Sequence, residues 1–203
     1  MTAPVGTEML LAQAIRYALG TVANVSPRGL ARPTPCTEWD LAELLRHVND
    51  SLTALHEAIT TRTIGLDPTE HTTEHTTVPA SNPIDTFRER ASELLAATTS
   101  LGHRDRLIAI ADRCAPESMV AAVGTVELAV HGWDVAMASG IDQPIPPGLA
   151  TGVLEIVPLV VTDAIRVTRF APPITVSVPA TPSDRLVALL GRCPRISALG
   201  PAH

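Results

Sequence analysis

Apolar residues return every three or four positions along four long stretches of the chain, a helical period that puts them on one face. In the first, residues 7–25, Met9, Leu10, Ala14, Tyr17 and Val22 keep that spacing up to Ser26-Pro27, where proline disfavours helix in the residue before it. The second runs over about residues 38–61, with Leu41, Leu44, Leu45, Val48, Leu52 and Leu55 on its core side. Thr37 reads as its N-cap, with Asp40 in the capping-box position three residues on. Asn82 and Pro83 open a third helix, carried by Ile84, Phe87, Ala91, Leu94 and Leu95 to about Leu101. Pro116-Glu117 opens a fourth, which ends at Gly140.

Between these helices the pattern changes. Pro27, Gly29, Pro33 and Pro35 make residues 27–36 an ordered loop, and the apolar run 106–113 fits either a strand or a helix start. Past Gly140, Pro146-Pro147 opens a fifth helix to about Phe170, kinked at Pro158. The run I-T-V-S-V at 174–178 alternates like a short edge strand, and Ser183 reads as the cap of a last helix over 184–192. The expected fold class is all-α: a four-helix bundle over residues 1–145, with residues 146–203 as a helical extension packed on it rather than an independent domain.

Composition narrows the function classes. In 203 residues there are only five aromatics, Tyr17, Trp39, Phe87, Trp133 and Phe170, so the core is aliphatic and a buried Trp reads first as packing. The formal charge of −6 and the lack of a basic cluster speak against nucleic acid or an anionic membrane as partner. The most apolar stretch, 149–165, is interrupted by Glu155, Pro158 and Asp163, unlike a membrane span. Cys36, Cys114 and Cys193 are odd in number and far apart, which suits a reducing cytoplasm, and the N-terminus has no signal-peptide pattern.

The densest chemistry lies in V-E-L-A-V-H-G-W-D-V-A-M-A-S-G, residues 126–140. Glu127, His131 and Asp134 fall on one side of this helix at i, i+4 and i+7, beside an apolar stripe that includes Val130 and Trp133. A carboxylate and an imidazole one turn apart can share a metal ion. His47, inward or at the core edge of helix two, can complete a two-histidine, one-carboxylate set with open coordination positions, suited to catalytic zinc and also to Fe(II). His56 stands about 900° of rotation further along the same helix, on the opposite side. His71, Glu74 and His75 match an inverted zinc-protease spacing, but four threonines and flanking prolines make an exposed loop the better reading.

P-T-P-C-T-E-W-D-L-A-E-L-L-R-H-V, residues 33–48, followed downstream by E-L-A-V-H-G-W-D-V-A-M-A-S-G, residues 127–140, resembles the metal-binding bundles related to mycothiol-dependent maleylpyruvate isomerase and the wider DinB-like superfamily. F-A-P-P at 170–173 and D-R-L-V-A-L-L-G-R at 184–192 are similar to the C-terminal end of single-domain members. The resemblance implies a DinB-like four-helix bundle in which His47, Glu127 and His131 bind zinc or another divalent metal, facing a pocket for a low-molecular-weight thiol such as mycothiol. It further implies a cytoplasmic enzyme transferring that thiol to, or isomerising, a small electrophilic metabolite. Asp134 is the candidate for orienting His131 or for acid–base work, and a homodimer is the candidate assembly. The isomerase resembles a two-domain protein whose second domain supplies an active-site arginine. The roughly 60 residues after Gly140 are too few for such a domain, and Arg185, Arg192 and Arg195 have no match to that arginine. Two other readings stand beside this one: a thiol-independent metalloenzyme of specialised metabolism (cyclase, epimerase or hydrolase), and a non-catalytic metal- or ligand-binding module. Cys36 reads as part of the packed loop leading into helix two.

Overall fold

The computed structural model describes residues 6–36, 39–65, 82–99, 106–177 and 179–194. The chain is mostly helical: α1 (Thr7–Val22), α2 (Leu41–Thr61), α3 (Pro83–Thr98) and α4 (Glu117–Ala138) form the bundle, followed by α5 (Pro147–Val160), α6 (Asp163–Arg169) and α7 (Pro182–Leu189). The α1 and α2 faces meet α4 and α3, α5 lies against α4, and α7 packs on α5. One aliphatic core runs through these helices, with Leu11, Leu44, Leu52, Leu128, Val153 and Leu186 all fully buried. Such residues stabilise by about 1.5–3 kcal/mol each relative to remaining in water.

The helix starts follow from local chemistry, though not always from the residue first expected. Asp40 caps α2: its side chain accepts from the Glu43 backbone N–H at 2.8 Å, and Glu43 accepts from the Asp40 N–H at 2.9 Å. The expected cap, Thr37, lies outside the described residues, so the capping box is Asp40–Glu43. Asn82 caps α3 as expected, accepting from the Ile84 N–H at 3.1 Å.

The extension differs more. No single helix reaches Phe170; α5 ends at Val160, Val161 follows outside the helix, and Thr162 caps α6. Pro158 stands inside the last turn of α5, and the Thr162 hydroxyl offers the chain a fresh start. Thr181, not Ser183, caps α7 in a box with Asp184, while the Ser183 hydroxyl accepts from the Ile145 N–H at 3.0 Å and ties α7 to the start of α5. Residues 174–177 form no strand; the Ile174 N–H bonds Ala188 O at the end of α7 instead. The stretch left open between strand and helix is β2 (Leu107–Ile110), antiparallel to β3 (Arg113–Pro116) and parallel to the two-residue β1 (Thr63–Ile64). His71, Glu74 and His75 lie outside the described residues.

Candidate metal centre

Helices α2 and α4 bring the chemistry together because α4 can approach closely. A Cβ at Gly124 would stand 2.6 Å from both methyl carbons of Leu55 on α2, so the absence of a side chain lets these helices close. One turn beyond Gly124, Glu127 faces His47 of α2. The His47 Nε2 lies 2.5 Å from Glu127 Oε1, and the His131 Nε2 lies 3.3 Å from the same oxygen. These three donor atoms all fall within 4.8 Å of one another. Donors at about 2 Å from a tetrahedral ion stand roughly 3.3 Å apart. The His131–Glu127 distance matches that edge, while the shorter His47–Glu127 contact is a hydrogen bond whose proton a cation would replace.

The second ring nitrogen of His131 is also engaged. Its Nδ1 lies 2.9 Å from Asp134 Oδ2, and Asp134 is completely buried. An imidazole that gives Nδ1–H to a carboxylate keeps Nε2 free for an ion, the usual arrangement behind a metal-bound histidine. The residues therefore fit a divalent cation by donor type, convergence and tautomer control.

Charge ties the cluster together. Burial pushes the His131 pKa down, but the Glu127 carboxylate and hydrogen bonds to Asp134, Cys36 and Glu127 outweigh it, holding the imidazole well above its ordinary range. Burial pushes Glu127 up, and the charge and hydrogen bonds of His131 and His47 overcome this to leave it far below the usual carboxylate range. Asp134 likewise opposes burial with the His131 bond and the Arg192 charge, and is lowered.

The donors open on a cavity of about 570 Å³. Trp39 stands beside them, its ring centroid 4.6 Å from that of His47. Val123, Val126, Val160, Ile165, Val167 and Phe170 give the cavity an apolar wall. Trp133, by contrast, is 6% exposed and packs in the core, as its place on the apolar stripe implied.

Residues 11–136, well over half of the chain, match the mycothiol maleylpyruvate isomerase N-terminal domain. The chain belongs to that family. No curated protein and no solved structure matches it significantly. The matched residues span α1 to α4 and so include His47, Glu127, His131 and Asp134 of this family member, but not the extension. No helix among the described residues is long and apolar enough to cross a membrane.

The extension supplies what sequence reasoning missed. Arg192, only 9% exposed, reaches Asp134 with Nη2 at 3.0 Å from Oδ2 and Nε at 3.4 Å from Oδ1. Cys36, read as a packing residue, lines the cavity with its Sγ 3.3 Å from Arg192 Nη2 and 3.4 Å from Asp134 Oδ2. A single arginine after L-L-G looks like any cation at a helix C-terminus, so the only signal was its position directly behind a glycine stop.

Proposed function

We propose that this family member is a divalent-metal-dependent enzyme acting on a small electrophilic metabolite, with a low-molecular-weight thiol such as mycothiol as co-reactant. The observation that carries the reading is the convergence of His47 Nε2, Glu127 Oε1 and His131 Nε2 at the floor of a cavity, with a buried carboxylate behind His131. Family membership supports the thiol. A divalent ion held by these three residues would supply Lewis acidity, lowering the pKa of a thiol or polarising a carbonyl. Every other task falls to the chain. His47 and His131 would turn Nε2 to the ion, Glu127 would supply the negative charge that offsets it, and Asp134 would hold the His131 Nδ1–H. Trp39 and the apolar wall would receive the apolar part of the substrate.

A second reading, catalysis without a thiol, is favoured by that same wall: six of its side chains offer no hydrogen bond to a sugar-bearing thiol. Turnover of electrophilic substrates with and without mycothiol separates the two. Metal content and affinity of the purified protein test the shared premise: His47→Ala and Glu127→Ala are expected to abolish tight binding of one ion. Unchanged metal content in both variants would remove the proposed ligands. Tight binding with no turnover of any electrophile would leave a binding module.

A further inference from the structure

His131 belongs to two sets of donors at once. Through Nε2 it joins His47 and Glu127; through Nδ1 it joins Asp134 and Cys36, and this second trio also has its donor atoms within 4.8 Å of one another. The second trio, which holds a thiol where the first holds an imidazole, already has a cation. The Arg192 guanidinium contacts Asp134 at 3.0 and 3.4 Å and the Cys36 sulfur at 3.3 Å. We propose that Arg192 fills a second cation position of this centre, limiting it to one divalent ion and keeping the Cys36 sulfur out of the ion's coordination. The inference rests on the metal-site reading given above.

Arg192 is built into that place. Its backbone N–H bonds Val187 O at 2.9 Å, its Nη1 bonds Leu190 O at 3.0 Å, and the guanidinium carbon stands 5.9 Å from the centre of the Phe170 ring. Guanidinium does not give up its proton in proteins, so the positive charge is permanent. It neutralises the buried Asp134 carboxylate, which leaves the inner trio no surplus negative charge to attract a metal. The consequence is chemical selectivity. Two imidazoles and a carboxylate suit borderline ions such as zinc or iron, whereas a thiolate in the set would draw soft ions. Without Arg192, a second ion could bind at Cys36, Asp134 and His131 Nδ1, with the Cys36 thiol and the His131 Nδ1–H each releasing a proton to solvent and the imidazolate bridging the two ions.

The test uses the full chain with Cys114→Ser and Cys193→Ser, both exposed cysteines, so that Cys36 is the sole thiol. Cadmium and cobalt(II) titrations are followed by stoichiometry and by sulfur-to-metal charge-transfer absorption in the ultraviolet. The background protein is expected to bind one equivalent with no sulfur band. Arg192→Leu should gain a second equivalent and the band, Arg192→Lys should stay as the background, and adding Cys36→Ser to Arg192→Leu should erase the band. A sulfur band in the Arg192-containing background, or a folded Arg192→Leu variant with one equivalent and no band, would overturn the proposal. If Arg192→Leu does not fold, the background and Arg192→Lys decide: a band in either overturns the proposal, and one equivalent without a band in both upholds it. A background that binds no ion while Arg192→Leu shows the band would sink the two-histidine reading and the one-ion limit with it, leaving only that Arg192 keeps an ion from the Cys36 set.

Discussion

Asp134 Oδ2 stands 2.9 Å from His131 Nδ1, at a site where Asp134 has no solvent exposure at all. With Nδ1 on that carboxylate, Nε2 is the imidazole nitrogen turned toward Glu127. Asp134→Asn is expected to weaken divalent-metal affinity by about 10–100-fold, the usual cost of losing such an orienting carboxylate. Competition against a chromophoric chelator measures it, and an unchanged affinity would deny Asp134 the orienting role. The same substitution leaves Arg192 without its charge partner, so urea unfolding should also show a loss of about 3–5 kcal/mol.

The direction of the pH effect follows from His131. Its metal-free pKa is raised above the ordinary 6.5, so below that raised value a proton competes with the ion for the ring. Apparent metal affinity should therefore fall about tenfold for each pH unit below it, one proton being displaced per ion bound. Stability runs the other way in the metal-free protein. A raised folded pKa contributes stability that is complete below the unfolded value near 6.5 and is lost as pH rises through the folded value. The gain in thermal midpoint on adding metal should thus widen as pH increases. A gain independent of pH would remove His131 from the ligand set.

Local rules made the bundle and the Glu127–His131 pair legible, while His47, 80 positions away from Glu127, needed the resemblance of residues 33–48. The i, i+4 spacing of Glu127 and His131 lies within one helix, and Asn82-Pro83 marks a helix start by residue type alone. What stayed hidden depends on partners far away in the chain. Cys36 and Arg192 meet across 156 positions, and no periodicity connects them. The alternation at 174–178 carried the period of a strand, yet a strand exists only by pairing, and the Ile174 N–H found the end of α7. Capping failed more narrowly. Around α2 and α7 two polar residues two or three positions apart compete for the cap, and residue type alone does not choose between them.

At the α2 N-terminus the Asp40–Glu43 box satisfies two backbone donors that would otherwise be orphaned. Asp40→Ala is expected to cost about 0.5–2 kcal/mol, which for a chain of this size lowers the thermal midpoint by about 2–4 °C per kcal/mol. Differential scanning calorimetry reads it. A change below half a degree would mean that solvent satisfies these groups equally well.

Gly140 and Gly191 both adopt left-handed backbone, at φ +76° and +79°, but their surroundings differ. A Cβ at Gly140 would meet nothing within 4 Å, so Gly140→Ala should cost only the left-handed penalty of about 1–2 kcal/mol. At Gly191 a Cβ would stand 2.6 Å from the Ala171 carbonyl oxygen and 2.8 Å from its carbon. These are backbone atoms, which cannot rotate aside as a side chain can, so Gly191→Ala must displace either residues 170–172 or the turn carrying Arg192. Its cost should exceed that of Gly140→Ala in denaturant unfolding. Only Gly191→Ala should also make Cys36 reactive toward a thiol reagent, because that displacement loosens the guanidinium from the sulfur. Equal costs for the two glycines, with Cys36 equally protected in both variants, would mean that the α7 turn yields without moving Arg192.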